Sequence, residues 1–197
     1  MIGVLSGMNE HGLALANMEI NRKGSFPKAM PYTLLYRTVL EQCRTVDEAI
    51  ELLKRTPRQT PNNLMLMDAT GDRTVVELSP EEVVIRRADD DAALISTNHH
   101  RGADCDTPGR CRRFDFLHGS AARSFGHIDL ASLEDMLDGA SQGRLTLQSM
   151  VFEPSNRVLY LSTGADAAKG PFYRLDLKPY FKAPPRSAES PARGAGL

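Results

Sequence analysis

A charge of one sign, a long apolar run and paired cysteines are all missing from this 197-residue sequence, and each absence excludes something. Twenty-four Lys and Arg against 25 Asp and Glu leave a net charge of −1, so nothing general favours nucleic acid or an anionic membrane as partner. No apolar stretch approaches the roughly 20 residues a membrane-spanning helix needs. The three cysteines (Cys43, Cys105, Cys111) are odd in number and lack framework spacing, which argues against a disulfide-stapled secreted domain. No basic and then apolar leader precedes the first strand-like residues. The expectation is therefore a soluble, cytoplasmic protein. GxSxG, HExxH, CxxC, a phosphate-cradling glycine loop and internal repeats are absent too. What remains is an ordinary globular composition, 41% hydrophobic and 25% charged.

The elements that are present begin with MIGVLSGMNEHGLALANME. The apolar run Ile2-Gly3-Val4-Leu5, turn chemistry at Asn9 to Gly12 and a second run from Leu13 to Glu19 predict a hairpin. An isolated hairpin is marginal in water, so strands are expected to be missing before it. A polar linker, Asn21 to Ser25, follows. Leu35 with Val39 and Tyr36 with Leu40, each four apart, predict a helix from Pro31 to about Cys43. Thr45 and Glu48 have capping-box spacing and open a second helix that stops before Pro57. Strands are predicted over Leu64 to Ala69, Thr74 to Leu78, Val83 to Arg86 and Ala92 to Thr97, with a tight turn at Thr70-Gly71-Asp72.

Beyond a polar loop from His99 to Gly109, helices are predicted over Arg110 to Ala122 and from Asp129 to Leu137. Thr146 to Phe152 and Arg157 to Ser162 then flank the turn Glu153-Pro154-Ser155-Asn156. From Lys182 to Leu197 the composition turns to Ala, Pro, Ser, Arg and Gly, which predicts a disordered tail and leaves residues 1–181 as one domain. The order ββ-αα-ββββ-αα-ββ segregates strands from helices. It predicts an α+β fold of antiparallel sheets covered by helices.

Candidate chemistry is sparse. The loop Thr97 to Asp106 holds His99, His100 and Cys105, with Cys111 nearby, and could be drawn as a zinc site. Adjacent histidines at a strand end face opposite ways, however, and neither cysteine has a close partner; a solvated polar loop is the alternative. Asn17 sits among Leu15, Ala16 and Met18, and Asn98 ends an apolar run. An amide so placed can donate to a developing oxyanion, or it can merely satisfy a neighbouring turn carbonyl. Arg110, Arg112 and Arg113 form a basic cluster, which could equally be a solvated helix face.

Four stretches together resemble one family. GVLSGMNEHGLALANME, ISTNHH, TPGRCRRFDFL and SMVFEPSNRVLYLSTG followed by GPFYRLDLKPYF are similar, in order, to segments of the N-terminal-nucleophile (Ntn) hydrolases of the peptidase C45 group. These are relatives of the acyl-coenzyme A:6-aminopenicillanic acid acyltransferase and, more distantly, of the choloylglycine hydrolases. The resemblance runs from Ile2 to about Phe181. Thr107 stands where the family's helix start has Ser. It implies an αββα sandwich, two stacked antiparallel sheets between helical layers, here truncated at its N-terminus.

The chemistry that the resemblance implies is acyl transfer or amide hydrolysis through an N-terminal cysteine exposed by self-cleavage. That cysteine lies upstream of the G-M-N-E hairpin in the family, and Cys43, Cys105 and Cys111 do not match it. The supporting positions that carry over are Asn17 for the oxyanion hole, Asn98 beside the nucleophile's amino group, and Arg110 near the thiol, with Arg113 as the fallback. No cofactor and no metal are implied.

Two classes of function follow. The chain is either the carboxyl-terminal part of an enzyme acting on a small-molecule amide or acyl substrate, or a non-catalytic relative serving as a binding or structural module. Loss of the first strands should leave an open sheet edge, to be covered by a second copy or by an upstream polypeptide.

Overall fold

The computed structural model describes residues 3–20, 28–87, 92–102 and 111–181. The linker at 21–27, the whole of 103–110 (with Cys105, Thr107 and Arg110) and the tail from residue 182 lie outside the described residues. The described residues form two antiparallel sheets, with five α-helices. The first sheet has strands β1 (Ser6–Met8), β2 (Ala14–Glu19), β3 (Asn62–Met67), β4 (Arg73–Leu78) and β5 (Val83–Arg86), neighbours in that order. The second has β6 (Gln148–Glu153), β7 (Val158–Thr163) and β8 (Tyr173–Asp176). The helices are α1 (Tyr32–Gln42), α2 (Val46–Arg55), α3 (Arg112–Ser124), α4 (Leu130–Gly139) and a final turn, α5 (Lys178–Phe181).

The core lies between α1, α2 and one face of the first sheet. Cross-strand partners share a face, so the register Asn17↔Leu64↔Val76↔Ile85 and Leu15↔Leu66 fixes which side chains meet the helices. Leu15, Leu64, Leu66 and Val76 pack there against Leu35, Tyr36, Val39, Ile50 and Leu53. Each such side chain contributes about 1.5–3 kcal/mol by leaving water. The opposite, inner face carries Ala14, Ala16, Met65, Met67, Val75, Asn63, Glu77 and Arg86.

Local signals explain the joints. Gly12 has φ +81° in the β1–β2 turn, a conformation glycine adopts without strain. The buried Asn9 carboxamide donates to Leu40 O and Cys43 O at the end of α1 and accepts from His11 N and Leu13 N. One side chain thus closes both the hairpin and the helix. Thr45 caps α2 by accepting from Glu48 N at 3.2 Å. Glu48 reaches back, but to Arg44 N at 2.7 Å, one residue before the cap. Asp129 caps α4 by accepting from Ser132 N at 2.8 Å.

Three sequence expectations need correction. Among the described residues the first strand is Ser6–Met8, and Gly3 to Leu5 lie outside it; Val4 N instead donates to Thr33 O of α1. The run from Ala92 to Thr97 joins no sheet. It crosses the inner face as extended chain because side chains, not a strand, take its backbone groups: Arg86 Nη2 donates to Ile95 O, and Asn63 Nδ2 to Thr97 O and His99 O, each at 2.8 Å. Strand β8, exposed at each residue, alternates apolar and polar side chains from Tyr173 to Asp176, yet the sequence reading assigns no strand there.

Candidate active site

Strand β2 ends at Glu19, and two of the sequence candidates gather there. Asn98 Nδ2 donates to Glu19 O at 2.8 Å, while its Oδ1 accepts from Arg113 Nη2 at 3.0 Å. Arg113 stands in the first turn of α3. The Asn63 amide beneath holds the carbonyls on either side of Asn98. Asn98 is therefore fixed through backbone and side chain alike, and among the described residues only one of its two Nδ2 hydrogens has an acceptor.

Asn17 lies two residues before Glu19, about 7 Å along the strand. Its carboxamide points the other way from Asn63, to the helix face, where Oδ1 accepts from the Tyr36 hydroxyl at 2.9 Å. Burial, with the neighbouring Tyr32 phenol, pushes the Tyr36 phenol above its ordinary value, so it stays a donor. This assigns the oxygen end of Asn17 to Tyr36 and leaves the Nδ2 end to other partners. The structure thus joins Asn98 to Arg113 directly and brings Asn17 to the same strand end, on the opposite face.

Arg110 lies outside the described residues, so its contribution rests on its sequence position alone. Arg113, the fallback, is the arginine seen on Asn98. Cys105 lies outside the described residues; of the other zinc candidates, His99 is exposed, and the buried Cys111 sulfur faces Thr97 Oγ1 at 3.7 Å. Among the described residues no three His, Cys, Asp or Glu side chains cluster. Burial raises the Cys111 thiol. The N–H groups of Phe114 and Arg113, the Thr97 hydroxyl and the Arg113 charge outweigh that and hold it below its ordinary value. At 6% exposure, however, this sulfur is not presented to a substrate. Cys43 is buried in the helix core and its thiol is raised, mainly by burial. Sequence reasoning missed Tyr36 and Asn63. An asparagine inside an apolar strand was the available signal for the second.

Comparison with known proteins bears on the family and the fold. The model of the acyl-coenzyme A:6-aminopenicillanic acid acyl-transferase family matches residues 1–168. The chain belongs to that family. Two crystal structures of variants of the conjugated bile acid hydrolase from Clostridium perfringens superpose with TM-score 0.61 at 18% identity. The match covers 90% of this chain and 74% or 73% of theirs. Compared with curated proteins, the sequence finds no match. These acyltransferase and hydrolase relatives give the sandwich its name, an Ntn-hydrolase fold. Among the described residues no helix is long and apolar enough to cross a membrane.

Proposed function

We propose that this acyltransferase-family chain is part of an enzyme that cleaves a linear amide or transfers an acyl group through a cysteine acyl-enzyme, with the nucleophile on a segment outside residues 1–197. The thiolate adds to the substrate carbonyl, the C–N bond breaks and the amine leaves with a proton. Water or a second amine then attacks the thioester and frees the thiol. A free α-amino group, with an ordinary pKa of about 8, can carry the proton between steps.

The observation that supports this reading is the Arg113–Asn98–Glu19 chain of hydrogen bonds at the end of β2. It sets an oriented amide beside a cation that would favour a thiolate. Asn17, its oxygen held by Tyr36, is left with Nδ2 donors for a tetrahedral oxyanion. None of this chain's cysteines supplies the attacking sulfur in this reading: Cys43 and Cys111 are buried, and the resemblance gives Cys105 no matching position.

The test is an amide and thioester panel assayed with the product of the reading frame extended back to its preceding stop codon. Amine or thiol release should occur, and iodoacetamide should abolish it. Asn17→Ala should lower kcat by roughly 10²–10³, the cost of one oxyanion donor, and Arg113→Met should shift the pH profile of kcat/KM. A folded extended product that releases nothing would overturn the reading in favour of a non-catalytic binding module.

A further inference from the structure

Two polar residues stand directly opposite each other on the inner face of the first sheet, Asn63 on β3 and Glu77 on β4. Both are buried, at 0% and 3% exposure, and both hold the backbone of the chain that crosses them. Glu77 accepts from Arg101 N and Gly102 N. Asn63 donates through Nδ2 to Thr97 O and to His99 O, each at 2.8 Å. Two carbonyl acceptors leave the amide one orientation, with Oδ1 turned away from them. That oxygen is buried and has no hydrogen-bond partner among the described residues. A buried acceptor left unpaired costs stability, so stability alone does not account for the asparagine.

What the amide does hold is Asn98. Its two bonds bracket that residue, and so fix the direction in which the Asn98 side chain leaves the backbone. Asn63 also stands opposite Met18 on β2, next to Glu19, whose carbonyl receives Asn98 Nδ2. The rest of the crossing chain is tied elsewhere. Arg86 holds Ile95 O, Glu77 holds residues 101 and 102, and the Arg101 guanidinium carbon lies 3.6 Å from the centre of the Phe114 ring in α3. Loss of the Asn63 amide therefore loosens the middle of the segment, residues 97–99, and leaves its ends in place. With no exposed surface and the crossing chain over it, Asn63 cannot itself touch a substrate.

We propose that Asn63 is a positioning residue of the candidate site, acting on the reacting atoms only through Asn98. Its effect on rate rests on the function proposed above; its hold on Asn98 does not.

Two measurements test this. In the 197-residue chain, followed by NMR, Asn63→Ala should make the Asn98 side-chain amide exchange about tenfold faster, while the Val75 and Val76 amides of β4 keep their protection. In the extended product, Asn63→Ala should lower kcat by up to about 10²-fold, the loss a small misplacement brings, with KM unchanged. In the Asn98→Ala background it should lower kcat no further. A structural role alone would reduce the folded fraction and lower kcat by the same factor in both backgrounds. If Asn63→Ala does not fold, Asn63→Ser, which keeps one donor toward the two carbonyls, takes its place.

Unchanged exchange at Asn98, additive losses in the cycle, or failure of both variants to fold would overturn the proposal. An extended product that cleaves no amide, with Asn98 loosened in Asn63→Ala, would sink the proposed function and leave the clamp intact. Activity with Asn98 unmoved would do the reverse.

Discussion

Glu77 and Arg86 meet diagonally across the β4–β5 ladder, Oε1 to Nε 2.8 Å apart, with the carboxylate almost wholly buried. Glu77 also accepts from Arg101 N and Gly102 N, and Arg86 reaches on to Ile95 O. With Asn63, which holds Thr97 O and His99 O, this pair straps residues 95–102 to the inner face. Removing one partner of a buried ion pair strands the other, at a cost of about 3–5 kcal/mol. Glu77→Ala should lower the urea midpoint accordingly and speed amide exchange at Arg101 and Gly102. Unchanged exchange there would mean that the strap is held elsewhere.

Gly12 couples the two sheets. A methyl group there would sit 2.6 Å from Pro154 O in the β6–β7 turn, on a backbone already at φ +81°. Arg157 of that turn donates to His11 O at 3.0 Å. Gly12→Ala should cost about 1–2 kcal/mol for the left-handed backbone alone, and more for the contact. Arg157→Ala, which removes hydrogen bonds without a clash, should cost less. The reverse order, read from urea unfolding, would show that the turns do not bear on each other.

The same residues show how much the sequence declared. Gly12, the Thr45 cap and the strand Val83–Arg86 were legible because each depends on neighbours within a few positions. The family stretches offered Asn98 with Arg110, or Arg113 as the fallback; Arg113 donates to Asn98, and Arg110 lies outside the described residues. The strap was not legible. Ala92 to Thr97 has the apolar content of a strand, but Asn63, Arg73 and Arg86, brought from other strands, take its backbone carbonyls. The turning of Asn17 toward Tyr36 was hidden for a similar reason: the two are 19 residues apart and meet only through sheet–helix packing.

Asp68 links the β3–β4 turn to α2, accepting from Val46 N at 3.1 Å and from Thr70 N and Oγ1. Burial acts to raise its carboxyl pKa, but these hydrogen bonds outweigh it and hold the group below its ordinary value. A carboxyl depressed in the folded state stabilises above its unfolded pKa of about 3.9, and that stability is lost as pH falls through the folded value. Asp68→Asn should therefore lower the urea midpoint by a constant amount between about pH 5 and 8, a gap that closes as the pH falls below about 4. A gap that persists into acid would assign the role to shape rather than charge.

Asn17 and Tyr36 should show unequal costs of loss. Tyr36 has no exposed surface, so Asn17→Ala leaves its hydroxyl without its partner, at about 1–3 kcal/mol. Tyr36→Phe frees the oxygen of Asn17, a residue only partly buried, and should cost about 0.5–1.5 kcal/mol. The double variant should then be no less stable than Asn17→Ala alone, because removing both partners strands neither. Full additivity in that cycle would mean that the Tyr36 hydroxyl does not orient the amide, and Asn17 would lose the fixed donor geometry that an oxyanion site requires.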